Sequence, residues 1–254
     1  MAVSTGKEYR LAELRDPTSG RMLLADTSAA ASVGAVRGLE DLRKAAEEIR
    51  EKVTGIILNP GQCERQAGLL GGRGNAVSLV RVDWTNVFRG ADFAVPMETP
   101  SHIKLASGED VLEMGGCAAV AFFLLGFDDD FEAQNIVFMT DLLRECARIG
   151  VPVVADVRPV GPKITEANFK ESAPLAVSFM QEGGADVIAI PYPGDDVFRL
   201  IMEFATVPIL VRETSPQAIE TAIKLGASGV VLPEEIFAIT NFADEIDTIM
   251  KLVI

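Results

Sequence analysis

A chain of 254 residues with 48% hydrophobic content is long enough to bury a large core, and about 250 residues is the usual size of an eight-stranded β/α barrel. Its formal net charge is −14, with no basic stripe, which argues against nucleic acid and anionic membrane surfaces as partners. Cys63, Cys117 and Cys146 lie far apart with no Cys-x-x-Cys pair, so neither a disulfide framework nor a zinc site is supported and core packing is their expected role.

Residues 1 to 20 are polar and read as a lead-in that caps a barrel floor. No apolar signal segment opens them, and the longest apolar run, near Cys117 to Gly126, is too short to span a bilayer, so a cytoplasmic protein is expected. Arg21 to Asp26 reads as a first strand, apolar without alternation as in a strand buried on both faces. Thr27 to Gly34 is a loop, and Gly38 to Val53 carries Leu39, Leu42, Ala45, Ala46 and Ile49 at helical spacing. Gly55 to Pro60 is a second short strand, Cys63 to Leu70 a helix, and Ala76 to Trp84 a third strand on which Arg81 and Asp83 share one face. Residues 85 to 107 form a long connection that holds the only histidine, His102, expected at the surface.

A short helix over Gly108 to Gly116 precedes a fourth buried strand, Cys117 to Gly126. Phe131 to Ile149 is a long amphipathic helix begun by an acidic run, Asp128 to Asp130, that suits a helix N-terminus. Val151 to Pro159 is the fifth strand; its helix, Ala167 to Glu182, contains Pro174, which should kink or split it. Asp186 to Pro191, Val207 to Glu213 and Gly229 to Leu232 are the remaining strands. Helices follow them near 195 to 205, over Ser215 to Leu225, and over Asn241 to Ile254. Strands and helices in strict alternation select a parallel sheet, and repeated helix–Gly–strand phrasing fits a barrel of like units. The expected fold is a single α/β domain over 1–254, a (β/α)8 TIM barrel; no Gly-x-Gly-x-x-Gly turn supports an open doubly wound sheet.

Such barrels place their sites at the C-terminal ends of the strands. The polar residues there are Asp26, Asn59, Arg81 with Asp83, Asp156 with Arg158, Tyr192, Arg212 with Glu213, and Glu234 with Glu235. Two readings stand side by side. One is a polar pocket for a charged small molecule; the other is an ion-pair layer that closes the barrel top, since buried charges need partners.

The chain resembles the archaeal-type class I aldolases of the DeoC/LacD-like superfamily, which include fructose-bisphosphate aldolases and aminodideoxyheptulosonate synthases. The likeness rests on Leu24-Ala-Asp26, on Gly38-Leu-Glu-Asp-Leu42, on the run Val151 to Gly161, and on Gly184-Ala-Asp-Val-Ile-Ala-Ile-Pro-Tyr192. It implies a full-length barrel and a homo-oligomer, which the apolar end of the closing helix, Met250 to Ile254, also suggests. Departures fall at the positions the family uses: Ala189 aligns with its Schiff-base lysine, Arg158 with its tyrosine acid/base, Thr27 with a histidine, and Leu232-Pro233-Glu234 with a Gly-Arg phosphate grip. A Schiff base needs a primary amine, so alanine cannot substitute.

The expected function is therefore that of an aldolase-superfamily barrel acting on a small oxygenated, anionic or phosphorylated substrate without the Schiff-base lysine. The alternative is a non-catalytic binding or assembly protein. Asp26, Asp83 and Asp156 are the candidate acid/base groups or metal ligands. Arg81, Arg158, Tyr192, Arg212 and Glu213 are the candidate substrate-binding residues. No organic cofactor is expected.

Overall fold

The structure is a computed structural model and describes residues 4–72 and 74–254; Met1–Val3 of the expected lead-in lie outside these. The lead-in is a helix, α1 (Thr5–Glu13), started by the Ser4 side chain accepting from the Lys7 amide. The buried Leu14 follows it and plugs the barrel floor against Met22 and Leu24.

In chain order the elements are β1 (Met22–Asp26), α2 (Ala30–Val33), α3 (Leu42–Ile49), β2 (Gly55–Leu58), α4 (Pro60–Leu70) and β3 (Val77–Arg81). Then come β4 (Asp83–Thr85), β5 (His102–Lys104), α5 (Gly108–Glu113), β6 (Ala118–Leu125), α6 (Asp129–Ile149), β7 (Val153–Pro159) and α7 (Phe169–Gly183). The chain closes with β8 (Val187–Pro191), α8 (Asp195–Phe204), β9 (Ile209–Arg212), α9 (Pro216–Lys224), β10 (Gly229–Leu232), a 3-10 turn (Glu234–Ala238) and α10 (Phe242–Val253). Eight parallel strands close in the order β1-β2-β3-β6-β7-β8-β9-β10 and return to β1, so the fold is the expected (β/α)8 barrel.

Three expectations are corrected. The third strand does not run from Ala76 to Trp84. It leaves the barrel at Val82, whose carbonyl accepts from the Leu105 and Ala106 amides, and resumes as β4, which pairs antiparallel with β5 outside the barrel. The loop after β1 contains one helical turn, α2. Pro174 does not split its helix: α7 is continuous across it, because the proline lacks only its own amide and the flanking Ala173, Ala176 and Val177 are fixed in the core.

Strand periodicity decides what fills the barrel. Alternate residues point inward, and register stacks them in layers of four from alternate strands. Leu24, Leu79, Val154 and Leu210 form one apolar layer; Ile57, Val120, Ala189 and Val231, from the intervening strands, form the next. Continuing that alternation by two residues on the first set gives Asp26, Arg81, Asp156 and Arg212. Between strands and helices lies a second, larger apolar core. The apolar residues of α10 are part of it: Ile246, Ile249 and Val253 are buried on the chain's own barrel, so this helix gives no separate support for association.

Candidate active site at the barrel mouth

The third inward layer is a ring of alternating charge. Asp26, Arg81, Asp156 and Arg212 sit at the ends of β1, β3, β7 and β9, and all are buried. Arg81 donates through Nη2 to Asp26 Oδ2 at 3.1 Å and to Asp156 Oδ2 at 2.8 Å. Arg212 donates through Nη1 to Asp26 Oδ2 at 2.8 Å and lies 3.6 Å from Asp156 Oδ2. Buried charges survive only when paired, and this ring pairs every member with two of opposite sign.

The loop after β1 completes the pairing. Ser28 gives both its amide (2.9 Å) and its hydroxyl (2.6 Å) to Asp26 Oδ1, and its hydroxyl oxygen accepts from Arg81 Nε at 3.1 Å. Burial pushes the Asp26 carboxyl up, but Arg212 and Arg81 outweigh it and hold the group well below the carboxylate range. Asp156 is likewise lowered: burial opposes, while Arg158, Arg212 and Arg81 together prevail. Arg212 is raised, because Asp26, Asp156 and Glu234 more than offset its burial.

Above the ring lies a cavity of about 320 Å³. Asp26, Ser28, Arg158, Arg212, Glu234 and Glu235 supply its polar wall; Phe88, Phe122, Val33 and Val160 supply its apolar wall. Phe122 lies 3.8 Å across the Arg81 guanidinium, a cation–π contact with a ring that itself faces the cavity. Two segments meet over this mouth: Trp84 Nε1 donates to the Ala31 carbonyl at 2.8 Å, and Arg89 Nε to the Ser32 carbonyl at 2.7 Å. A larger cavity, about 490 Å³, opens at the opposite end beside Cys63 and Cys117, away from the charged layer. Burial pushes those thiols up to about 11 and about 12, in keeping with packing roles.

The expected site residues separate into three groups. Asp26, Arg158 and Arg212 line the cavity. Arg81, Asp83 and Asp156 are buried below or beside it and do not. Tyr192 and Glu213 point away from the barrel axis. The Tyr192 hydroxyl donates to Asp195 at 2.7 Å, and Glu213 accepts from the Thr214 and Ser215 amides just before α9. Both follow the inward-facing positions Pro191 and Arg212 by one residue, and that step turns a strand side chain to the other face.

His102 is not at the surface. Its side chain is 3% exposed, with Nε2 2.7 Å from Asp83 Oδ2 and Nδ1 2.9 Å from Asn135 Oδ1. The hairpin of β4 and β5 carries it there by pairing Thr85 with His102. Asp83 Oδ2 also accepts from the Phe122 amide at 2.6 Å, while among the described residues its Oδ1 and Arg81 Nη1, 3.9 Å apart, have no hydrogen-bond partner; nor does Asn59 Oδ1. The residue that reasoning at the strand ends undervalued is Glu234, which lies on the cavity wall and accepts from Arg212 Nη2 at 2.7 Å. Gly38 lets the loop before α3 close on the turn bearing it: with φ 84°, its Cβ position would fall 1.8 Å from the Phe237 carbonyl oxygen.

None of the eight lysines lines this cavity. Ala189 is in the apolar layer directly beneath the ring, in register with Asp156. Lys163 is exposed and pairs with Asp129 at 2.7 Å. Among the described residues no group of three or more His, Cys, Asp or Glu is arranged to hold a metal ion, and no helix is long and apolar enough to cross a membrane.

A closed parallel barrel with a polar cavity at the C-terminal ends of its strands defines the class: a (β/α)8 barrel with the usual placement of a small-molecule site. Residues 21–238 match the family described as DeoC/LacD family aldolase, and the chain belongs to that family. It is 26% identical over 244 residues to the 2-amino-3,7-dideoxy-D-threo-hept-6-ulosonate synthase of Halobacterium salinarum, covering 91% of this chain and 85% of that one. It is 28% identical to the 2-amino-4,5-dihydroxy-6-oxo-7-(phosphonooxy)heptanoate synthase of Streptomyces griseus, over 52% of this chain and 51% of that one. Among solved structures, an archaeal fructose 1,6-bisphosphate aldolase superposes with a TM-score of 0.80 at 16% identity, covering 98% and 99% of the two chains. A structure of an archaeal fructose-1,6-bisphosphate aldolase with its catalytic Lys covalently bound to a carbinolamine intermediate gives 0.79 at 16% identity, with 98% and 99% covered.

Proposed function

We propose that the chain is a cytoplasmic aldolase-family enzyme of the carbon–carbon lyase type, acting in the mouth cavity on a small oxygenated, anionic substrate without a lysine Schiff base. The observation that carries the reading is a cavity walled by Asp26, Arg158, Arg212 and Glu234 with no lysine on it. Arg158 supports an anionic substrate. It donates to Asp156 through Nε and Nη2, and among the described residues its Nη1 donates to no protein atom, leaving one edge of a guanidinium for an anion. The phosphonooxy group in the name of the Streptomyces griseus relative favours a phosphorylated ligand. Asp26, Asp83 and Asp156 set the field in which the arginines act, and no cofactor is part of the reading. Association into a homo-oligomer is part of it, by analogy with the family; a light-scattering mass equal to one chain would remove it.

A second reading is favoured by the mutual saturation of the ring, which would suit a non-catalytic binding or assembly protein. One experiment separates them. Dihydroxyacetone phosphate, fructose 1,6-bisphosphate and other small sugar phosphates are tested by thermal shift and for turnover, with borohydride added in parallel. The enzyme reading expects a raised melting temperature, turnover of at least one compound, and no mass increase on any lysine. Binding without turnover favours the second reading, and a borohydride-trapped lysine adduct overturns the absence of a Schiff base.

A further inference from the structure

We propose that Glu234 is the acid/base group of the mouth, the carboxyl that gives and takes a proton there, and that Asp26, Asp83 and Asp156 are not. The proposal rests on the reading of the cavity as the active site and adds to it the residue that moves the proton.

Hydrogen-bond capacity and access to the cavity separate the four carboxyls. An ionised carboxylate has about four acceptor sites. Asp26 fills them with the Ser28 amide, the Ser28 hydroxyl, Arg81 Nη2 and Arg212 Nη1. Asp156 accepts from Arg81 Nη2 and from Arg158 Nε and Nη2, and it has no surface on the cavity. Asp83 is fully buried between His102 and the Phe122 amide, and it too has no surface on the cavity. A proton added to Asp26 or Asp156 would break hydrogen bonds to buried guanidiniums, and Asp83 and Asp156 have no access to a substrate in the cavity.

Of the four, Glu234 alone combines access to the cavity with a free acceptor oxygen. It lines the cavity, its side chain is 27% exposed, and its one guanidinium partner, Arg212, occupies only Oε2. Glu235, its neighbour, is exposed, as a solvated carboxyl would be. The charged groups acting on Glu234 are Arg212 on β9, Asp26 on β1 and Glu235 beside it. Burial first, then Asp26 and Glu235, raise its carboxyl above the usual glutamate value, and Arg212 only partly opposes them. The site thus holds two kinds of carboxylate: those locked as anions by arginines, and one free to change charge. Such a division sorts groups that hold a field from the group that transfers a proton. Its Arg212 bond also orients the acid, since Arg212 is itself fixed by Asp26.

The test uses the whole chain without substrate, so it stands or fails independently of whether the proposed substrate class is right. The protein is made with glutamate labelled by 13C at the side-chain carboxyl, and in a second sample with aspartate so labelled. Both are titrated by NMR. The expected result is one glutamate resonance whose midpoint lies above the ordinary value of about 4.3. That resonance should be absent from Glu234→Gln, while Asp26 and Asp156 show no midpoint above the ordinary range. Glu234→Asp removes the same glutamate resonance and serves if the glutamine variant does not fold. A Glu234 midpoint in the ordinary range, or a high midpoint on Asp26 or Asp156, overturns the proposal.

Discussion

The guanidinium of Arg158 turns back on the carboxylate of Asp156, two residues earlier on the same strand, and donates to it through Nε at 2.8 Å. Two-residue spacing puts both on the inward face, as the sequence indicates, but the pair is not two independent tools. Asp156 anchors the ring from below; Arg158, with 16% of its side chain exposed, leans from it into the cavity.

Replacing either member should therefore have unequal costs. Asp156→Asn strands Arg81 with one anion fewer in a buried layer, and a loss of about 3–5 kcal/mol is expected. Arg158→Gln removes two hydrogen bonds to Asp156 but leaves it paired with Arg81, and at this partly exposed site should cost less, about 1.5–3 kcal/mol. Urea denaturation of both variants checks the order; equal losses, or a larger loss for Arg158, would refute it.

His102 provides a chemical check on the hairpin. It is the only histidine, and its ring is enclosed by Asp83, Asn135 and Phe138. Diethyl pyrocarbonate should leave the native ring unmodified and should modify it once the chain is unfolded in urea. Rapid reaction of the native protein would mean that β4 and β5 do not hold the ring as described.

Much of this site is legible in the sequence, and what is hidden has a common cause. Asp26, Arg81, Asp156 and Arg212 are visible as charges ending apolar strands. Their membership of one layer is not, because it depends on the stagger of eight strands, which no local pattern records. The same holds for His102. Its depth follows from Val82 leaving the barrel and from the pairing of Thr85 with His102, both tertiary events. Tyr192 and Glu213 could have been set aside by counting parity along β8 and β9 from Ala189 and Leu210. Glu234 escapes parity altogether, since it sits on a 3-10 turn beyond the end of β10.

Glu234 also makes a prediction about stability. A carboxyl whose folded pKa is raised contributes stability below its unfolded value, about 4.3, and loses it as pH rises through the higher folded value. Glu234→Gln stays neutral throughout and lacks that loss. The variant should therefore gain stability relative to wild type as pH rises from about 4 toward neutrality. Thermal unfolding across that range decides the matter, and a difference independent of pH would contradict the raised carboxyl.

Asp26 should behave in the opposite sense. Its folded pKa is depressed, because Arg212 and Arg81 overcome its burial. Above the unfolded aspartate value, about 3.9, both states are ionised and the arginine contacts contribute fully. As pH falls below that value, the unfolded chain binds the proton first, which draws the equilibrium toward unfolding. The contribution is gone once pH has passed the folded value. Asp26→Asn carries no such titration: it forfeits the contribution at every pH and leaves Arg81 and Arg212 short of an anion. The variant should thus be less stable than wild type at pH 7, by about 3–5 kcal/mol for a broken buried pair. The gap should narrow steadily as pH is lowered from about 4 toward 2.5, because the wild type loses there what the variant never had. Urea denaturation at half-unit intervals from pH 7 to pH 2.5 measures that gap directly. A constant gap would mean that Asp26 is held by hydrogen bonds that survive protonation, and that the ring of alternating charge is not what keeps it ionised.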